Sequence, residues 1–157
     1  MKRLRRLRKA DRGANLVEFA MVMPFLLILL IGIVEFSWTL ANNIDVKQGA
    51  REGARITAVD FPDTGGSPTN GVLAAEICNR MDLVNDPATT ITWLSNDLDG
   101  NGQIEVGDGV NVTVSTPHKT LTGFMDWAFG GLTSLDSTVE IRIEQPRSWI
   151  DTTVNCP

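Results

Sequence analysis

Residues 12–36 read RGANLVEFAMVMPFLLILLIGIVEF: a glycine behind a basic leader, a glutamate five residues on, and then a long apolar run. A carboxylate at the mouth of an apolar helix is costly in hydrocarbon unless a partner neutralises it, so Glu18 demands one. Ahead of Gly13 stand Lys2, Arg3, Arg5, Arg6, Arg8, Lys9 and Arg12 against a single acid, Asp11. Basic flanks of this kind stay on the cytoplasmic side of a membrane. The 16 residues 19–34 carry no charge, and with Glu35 tolerated the apolar stretch continues to Ala41. At about 1.5 Å per residue that longer stretch covers roughly 34 Å, enough for a hydrocarbon core of about 30 Å. No small-residue cleavage pattern of a signal peptide lies between Ser37 and Asn43, and Cys78 and Cys156 are remote from the apolar segment. The reading is a retained single-pass helix with its N-terminus in the cytoplasm and the bulk of the chain outside.

The segment Gly13-Ala14-Asn15-Leu16-Val17-Glu18-Phe19 resembles the processing site of type IV prepilins. In those proteins a membrane aspartyl peptidase cuts after the glycine and leaves glutamate as the fifth mature residue. The continuation VEFAMVMPFLLILLIGIVEF, followed by QGAREGARITA, is similar to the TadE-like family of pseudopilins, minor pilins of tight-adherence, type IVb-like pili. Glu18-Phe19 fits the Glu-Tyr/Phe preference of that branch, and VNVTVSTP and LTSLDSTVEIRIE look like the family's C-terminal region. The resemblance implies a cut between Gly13 and Ala14. It also implies that Glu18 pairs with the ammonium this cut creates at Ala14, commonly on a neighbouring subunit. In a low-dielectric bundle an unpaired charge costs far more than a paired one, so such a bond would favour correct register. The implied partners are the prepilin peptidase, other pilins and pseudopilins, the pilus assembly platform and the membrane, with an extracellular pilus as the destination after assembly.

Pro24 inside the apolar run deletes one backbone hydrogen bond and loosens the preceding turn, and Glu35 near the outer end reads as a side chain that snorkels to the interface. Residues 42–60 keep helical spacing, with Gly49, Ala50, Gly53, Ala54 and Ala58 as a small-residue stripe that lets another element approach the backbone closely. Lys47, Arg51, Glu52 and Arg55 decorate other directions. The expectation is one continuous helix over 15–59, followed by a loop at 61–71 (FPDTGGSPTNG) and a short helix at 72–83. Strands are expected at 89–95, 110–115 and 138–144, where β-branched content and period-two alternation occur. Between the last two lies LTGFMDWAF, 121–129, an apolar loop or helical turn. Its Phe124, Trp127 and Phe129 either pack under the sheet, the expected placement, or form an exposed membrane-proximal or partner-binding patch. The fold class is therefore α+β and pilin-like, a long N-terminal helix against a small, mainly antiparallel sheet of three or four strands. It divides into a leader (1–13), a transmembrane helix (14–41), its extramembrane continuation (42–60) and an extracytoplasmic domain (61–157).

The chain has net charge −5, but without residues 1–13 it holds 7 basic and 18 acidic residues, a net of −11. An acidic outer domain disfavours nucleic-acid binding, which calls for a basic patch. Two cysteines outside the cytoplasm are candidates for one disulfide, Cys78–Cys156, that would pin the C-terminal tail. Residues 97–108, DLDGNGQIEVGD, match a calcium loop of the EF-hand type. Side-chain oxygens stand at loop positions one, three and five (Asp97, Asp99, Asn101), glycine at six (Gly102), a backbone carbonyl at seven (Gln103), Ile104 at eight, Glu105 at nine and an acid at twelve (Asp108). Alternating carboxylate and amide oxygens around a sharp glycine turn suit the six to eight ligands Ca²⁺ prefers. Position twelve departs from the pattern, being Asp rather than the longer Glu, and the flanks read as strands instead of helices. The same residues also make a plain polar turn between two strands.

No nucleophile stands with a plausible base, and neither a P-loop nor a Rossmann glycine pattern occurs, so the chain reads as a non-enzyme without a small-molecule substrate. Two functions remain. One is a pseudopilin that assembles into, primes or tips a pilus. The other is a membrane-anchored, calcium-dependent binding or adhesion module that never enters a filament.

Overall fold

The computed structural model describes residues 2–59, 70–81, 86–129, 133–144 and 151–157. Its first element, α1, spans Lys2–Val59, 58 residues with Pro24 inside the helix. It starts earlier than the expected 15–59, since residues 2–10 are all Leu, Arg, Lys or Ala, strong helix formers. At 1.5 Å per residue it is about 87 Å long, far beyond a typical globular helix.

Burial divides α1 in two. Residues 13–31 are exposed throughout, whereas from Glu35 onward Asn42, Asp45, Val46, Gly49, Ala50, Gly53, Ala54, Ile56 and Thr57 are buried. Those positions recur at three- and four-residue intervals and form one face. The small-residue stripe is used within the chain. A Cβ on Gly53 would stand 2.8 Å from Cδ1 of Ile77, and one on Gly49 would stand 2.5 Å from Sδ of Met81. Glycine at these positions therefore lets α2, Asn70–Asn79, lie against the α1 backbone. α2 presents Leu73, Ala74, Ile77 and Cys78, all buried, on one side. It closes with tight turns from the Arg80 N–H to the Ile77 carbonyl (3.1 Å) and from the Met81 N–H to the Cys78 carbonyl (3.2 Å). The second helix expected at 72–83 is thus present but ends earlier. Residues 61–69 of the expected loop lie outside the described residues.

Four strands follow: β1 Thr90–Asn96, β2 Gly109–Pro117, β3 Ser134–Arg142 and β4 Thr152–Asn155. They form one antiparallel sheet in the order β3-β2-β1-β4. A six-residue helix, α3 (Phe124–Phe129), stands between β2 and β3, where the apolar loop or turn was expected. β4 has no counterpart in the sequence reading, because four residues of TTVN are too short to display alternation. It is placed by pairing with β1, Thr92 opposite Thr153, and by the Cys156 N–H donating to the Thr89 carbonyl at 2.8 Å.

One sheet face supplies the core: Ile91 and Trp93 from β1, Val110, Val112 and Val114 from β2, and Leu135 from β3, each at most 5 % exposed. The other face carries a hydroxyl row. Thr138, Thr113, Thr92 and Thr153 stand opposite one another across all four strands, with bonds of 2.8 Å between Thr113 and Thr138 and 2.9 Å between Thr92 and Thr153. Trp93 fastens sheet to helix, its indole N–H donating to Oγ1 of Thr57 at 3.1 Å, both side chains buried. The expected disulfide is present between Cys78 and Cys156, Cα atoms 5.8 Å apart, and ties α2 to the residue after β4.

Two outcomes follow from this packing. Gly53→Leu forces α2 away from α1, and a urea titration of the full chain in detergent is expected to show a loss of about 2–3 kcal/mol, while Gly32→Ala, whose Cβ would meet nothing within 4 Å, leaves the midpoint unchanged. Cys78→Ser removes a cross-link spanning 78 residues and is expected to lower stability by up to about 4.5 kcal/mol in the chain-entropy model, read as an earlier unfolding midpoint.

Candidate functional site

The residues read from the sequence as a processing and assembly site all lie on the exposed part of α1. Gly13, Ala14, Glu18 and Phe19 are exposed, and nothing would lie within 4 Å of a Cβ built on Gly13. Ala14 and Glu18 are four residues apart on one helix, so they occupy the same face one turn apart. From Leu16 to Phe36 the large apolar side chains remain open to the surroundings, Phe25 at 75 %. α1 is long and apolar enough to cross a membrane.

The sequence reading of Glu35 requires correction. Its side chain does not snorkel; it is fully buried. The carboxylate accepts hydrogen bonds from the backbone N–H groups of Leu121 (3.0 Å) and Thr122 (2.6 Å) and from the Thr122 hydroxyl. A carboxylate with three donors is satisfied in a place where an unpaired one would be prohibitive. The turn that presents these donors depends on Gly123, whose φ of +75° lies in the left-handed region, and α3 starts from it, with the Trp127 N–H reaching the Gly123 carbonyl at 3.3 Å. Two further contacts hold the same loop. His118 Nε2 lies 3.3 Å from Oγ1 of Thr39, and the Lys119 ammonium pairs with Asp86. That ammonium, with the Ala88 N–H, holds the Asp86 carboxyl below its usual range. An acid closing an apolar run was the available signal for Glu35, but its partners are about 86 residues away along the chain.

The expectation that Phe124 and Trp127 pack under the sheet is likewise overturned for the tryptophan. Trp127 is 82 % exposed, with its ring centroid 5.8 Å from that of half-buried Phe124. The chain between β2 and β3 is drawn down to Glu35 on α1, which keeps α3 away from the sheet's core face. The Phe129 side chain lies outside the described residues.

The acidic loop joins β1 to β2. Ligand-type oxygens of Asp97, Asp99 and Asp108 lie within 4.8 Å of one another, and Asp108 is only 3 % exposed. Positive φ at Gly100 and Gly102 folds the loop back on itself. Asp97 accepts from the N–H groups of Gly102 and Gly100 (both 2.7 Å), and these bonds hold its carboxyl below the ordinary value. Asp108 accepts from the N–H groups of Leu98 (3.0 Å) and Glu105 (2.8 Å), closing the base of the loop. Asn101 donates to Asp99 (2.9 Å) and Glu105 (2.8 Å), and the Gln103 N–H donates to the Asn101 amide oxygen (2.7 Å). All the side-chain donors gathered here are oxygen atoms, each with a lone pair to spare, which fits a hard cation such as Ca²⁺ better than a thiophilic metal. Asp97, Asp99, Asn101, Glu105, Asp108 and the Gln103 carbonyl would hold it.

No curated protein and no solved structure matches the chain. Residues 13–55, from Gly13 through the apolar run to the helix face buried under the sheet, match the model of the family described as TadE-like protein.

Proposed function

We propose that the chain is a pseudopilin, a minor pilin processed between Gly13 and Ala14 by a prepilin peptidase and incorporated through α1 into a tight-adherence pilus or its assembly platform. The observation that carries this reading is the division of α1. One half is sheathed by the chain's own domain, and the other is a naked apolar rod with Glu18 near its inner end. Such a rod needs lipid before assembly and can exchange it for neighbouring helices afterwards. The Glu18 carboxylate then supplies the one strong, directional contact in an otherwise uniform surface, pairing with the Ala14 ammonium of an adjacent subunit. The role is structural rather than catalytic. The N-terminus lies in the cytoplasm, where the basic leader holds it, and the domain lies outside.

The clustered carboxylates of Asp97, Asp99 and Asp108 favour a second reading, a membrane-anchored module that binds a partner with calcium and stays out of the filament. In either case a bound Ca²⁺ would offset the mutual repulsion of three carboxylates and stiffen the β1–β2 connection.

N-terminal sequencing of the full chain, produced with and without a prepilin peptidase, separates the two readings: a mature protein starting at Ala14 is expected for the pseudopilin, and a retained leader sinks it. Glu18→Ala is expected to insert into the membrane normally but to be lost from sheared pili; normal recovery there rules out the pairing. Calorimetry of the full chain in detergent is expected to register calcium binding at roughly millimolar concentration or tighter, abolished by Asp97→Asn, and silence at that concentration removes calcium from the account.

A further inference from the structure

The charge-free stretch 19–34 covers about 24 Å, some 6 Å less than a hydrocarbon core of about 30 Å. The remaining depth is supplied by the turns that follow, where Glu35 precedes Phe36, Leu40 and Ile44, all three exposed. Glu35 therefore stands at the edge of the hydrocarbon, and burying its carboxylate under the 121–122 turn is what makes that depth tolerable. The other named attachments to α1 among the described residues sit farther out, at Thr39, Val46 and Thr57. Among these attachments the turn fastened to Glu35 is the lowest, and it leads through Leu121 (56 % exposed) to Trp127 (82 % exposed).

We propose that residues 120–127 form a foot that rests in the headgroup layer of the outer leaflet, with Glu35 as its positioning residue and Trp127 and Leu121 as the groups in contact with lipid. This rests on the reading that α1 spans the membrane. Lipid is the occupant that fits, because the patch is fastened to α1 at Glu35, directly after the run of exposed apolar side chains from Leu16 to Val34. A tryptophan offers an apolar ring and one polar N–H, the combination enriched at membrane interfaces. The polar groups at the same level suit a headgroup layer rather than hydrocarbon: Lys119, three-quarters exposed beside Asp86, and exposed Asp126, which accepts from Thr120 at 2.9 Å. The foot would fix how deeply α1 sits and how the domain leans over the bilayer before assembly.

The test uses the full chain in vesicles of phosphatidylcholine and phosphatidylglycerol, brominated either on the upper part or near the end of the acyl chains. Trp127 is read as the emission that Trp127→Phe removes. That emission is expected to be quenched by the shallow bromines and shielded from aqueous iodide, and Glu35→Ala is expected to release it to iodide. A Phe25→Trp variant reports on the span itself and is expected to be quenched by the deep bromines. Trp127 open to iodide while Phe25→Trp is quenched overturns the foot and leaves the spanning helix standing. Failure of Phe25→Trp to be quenched overturns the spanning helix and the foot with it. Shielding of Trp127 that grows with the protein-to-lipid ratio assigns the patch to a second copy of the chain and also overturns the proposal.

Discussion

The close approach of α2 to α1 over Gly49 and Gly53 sets where the rest of the outer domain can lie, because it selects which face of a nearly featureless helix is covered. Once Ile77 and Met81 occupy those two positions, Ala50, Ala54 and Ile56 turn toward the sheet, and Thr57 comes within reach of the Trp93 indole. Each large side chain buried in that seam contributes about 1.5–3 kcal/mol, which must outweigh the entropy of ordering a short helix and a four-stranded sheet. The Cys78–Cys156 bond then holds the free end of the sheet to the same seam. A side chain at Gly53 or Gly49 would have to displace Ile77 or Met81 from that seam.

Below that seam the same helix is exposed and apolar, long enough to cross a membrane. The transition falls at Glu35, and the structure resolves the conflict between a carboxylate and an apolar surrounding by bringing backbone donors to it rather than by turning it outward. Backbone N–H groups at a turn are well suited to the task, since they are fixed in direction and lie in a segment that would otherwise leave them unpaired. One carboxylate thus joins α1 to the β2–β3 connection and decides the position of α3. Asymmetric charge continues the same division: a basic leader at one end of the helix and an acidic domain at the other, with the apolar rod between them.

The acidic loop is organised without reference to α1. Asp97 and Asp108 close it from both ends by accepting backbone N–H groups, so its shape is set largely by the chain itself, and Asp99 is left facing the same space. Its place between β1 and β2 puts it at one end of the sheet, joined to β3 through the Ile143 N–H donating to the Asp108 carbonyl at 2.8 Å.

Much of this was legible in the chain alone. Hydropathy and helical spacing specified the long helix, period-two alternation specified β2 and β3, β-branched and aromatic content specified β1, and the small-residue stripe marked the face to be covered, all because these signals act between neighbours in sequence. The cysteine pair was legible as well, since two cysteines have one way to pair with each other. What only the tertiary structure decided depends on contacts between distant residues. Glu35 has donors from a turn about 86 residues away, β4 exists only as an added edge, and Trp127 is exposed because its loop is held on α1 instead of under the sheet. Local patterns report which side chains prefer burial, but only the completed packing determines which of them find a place there.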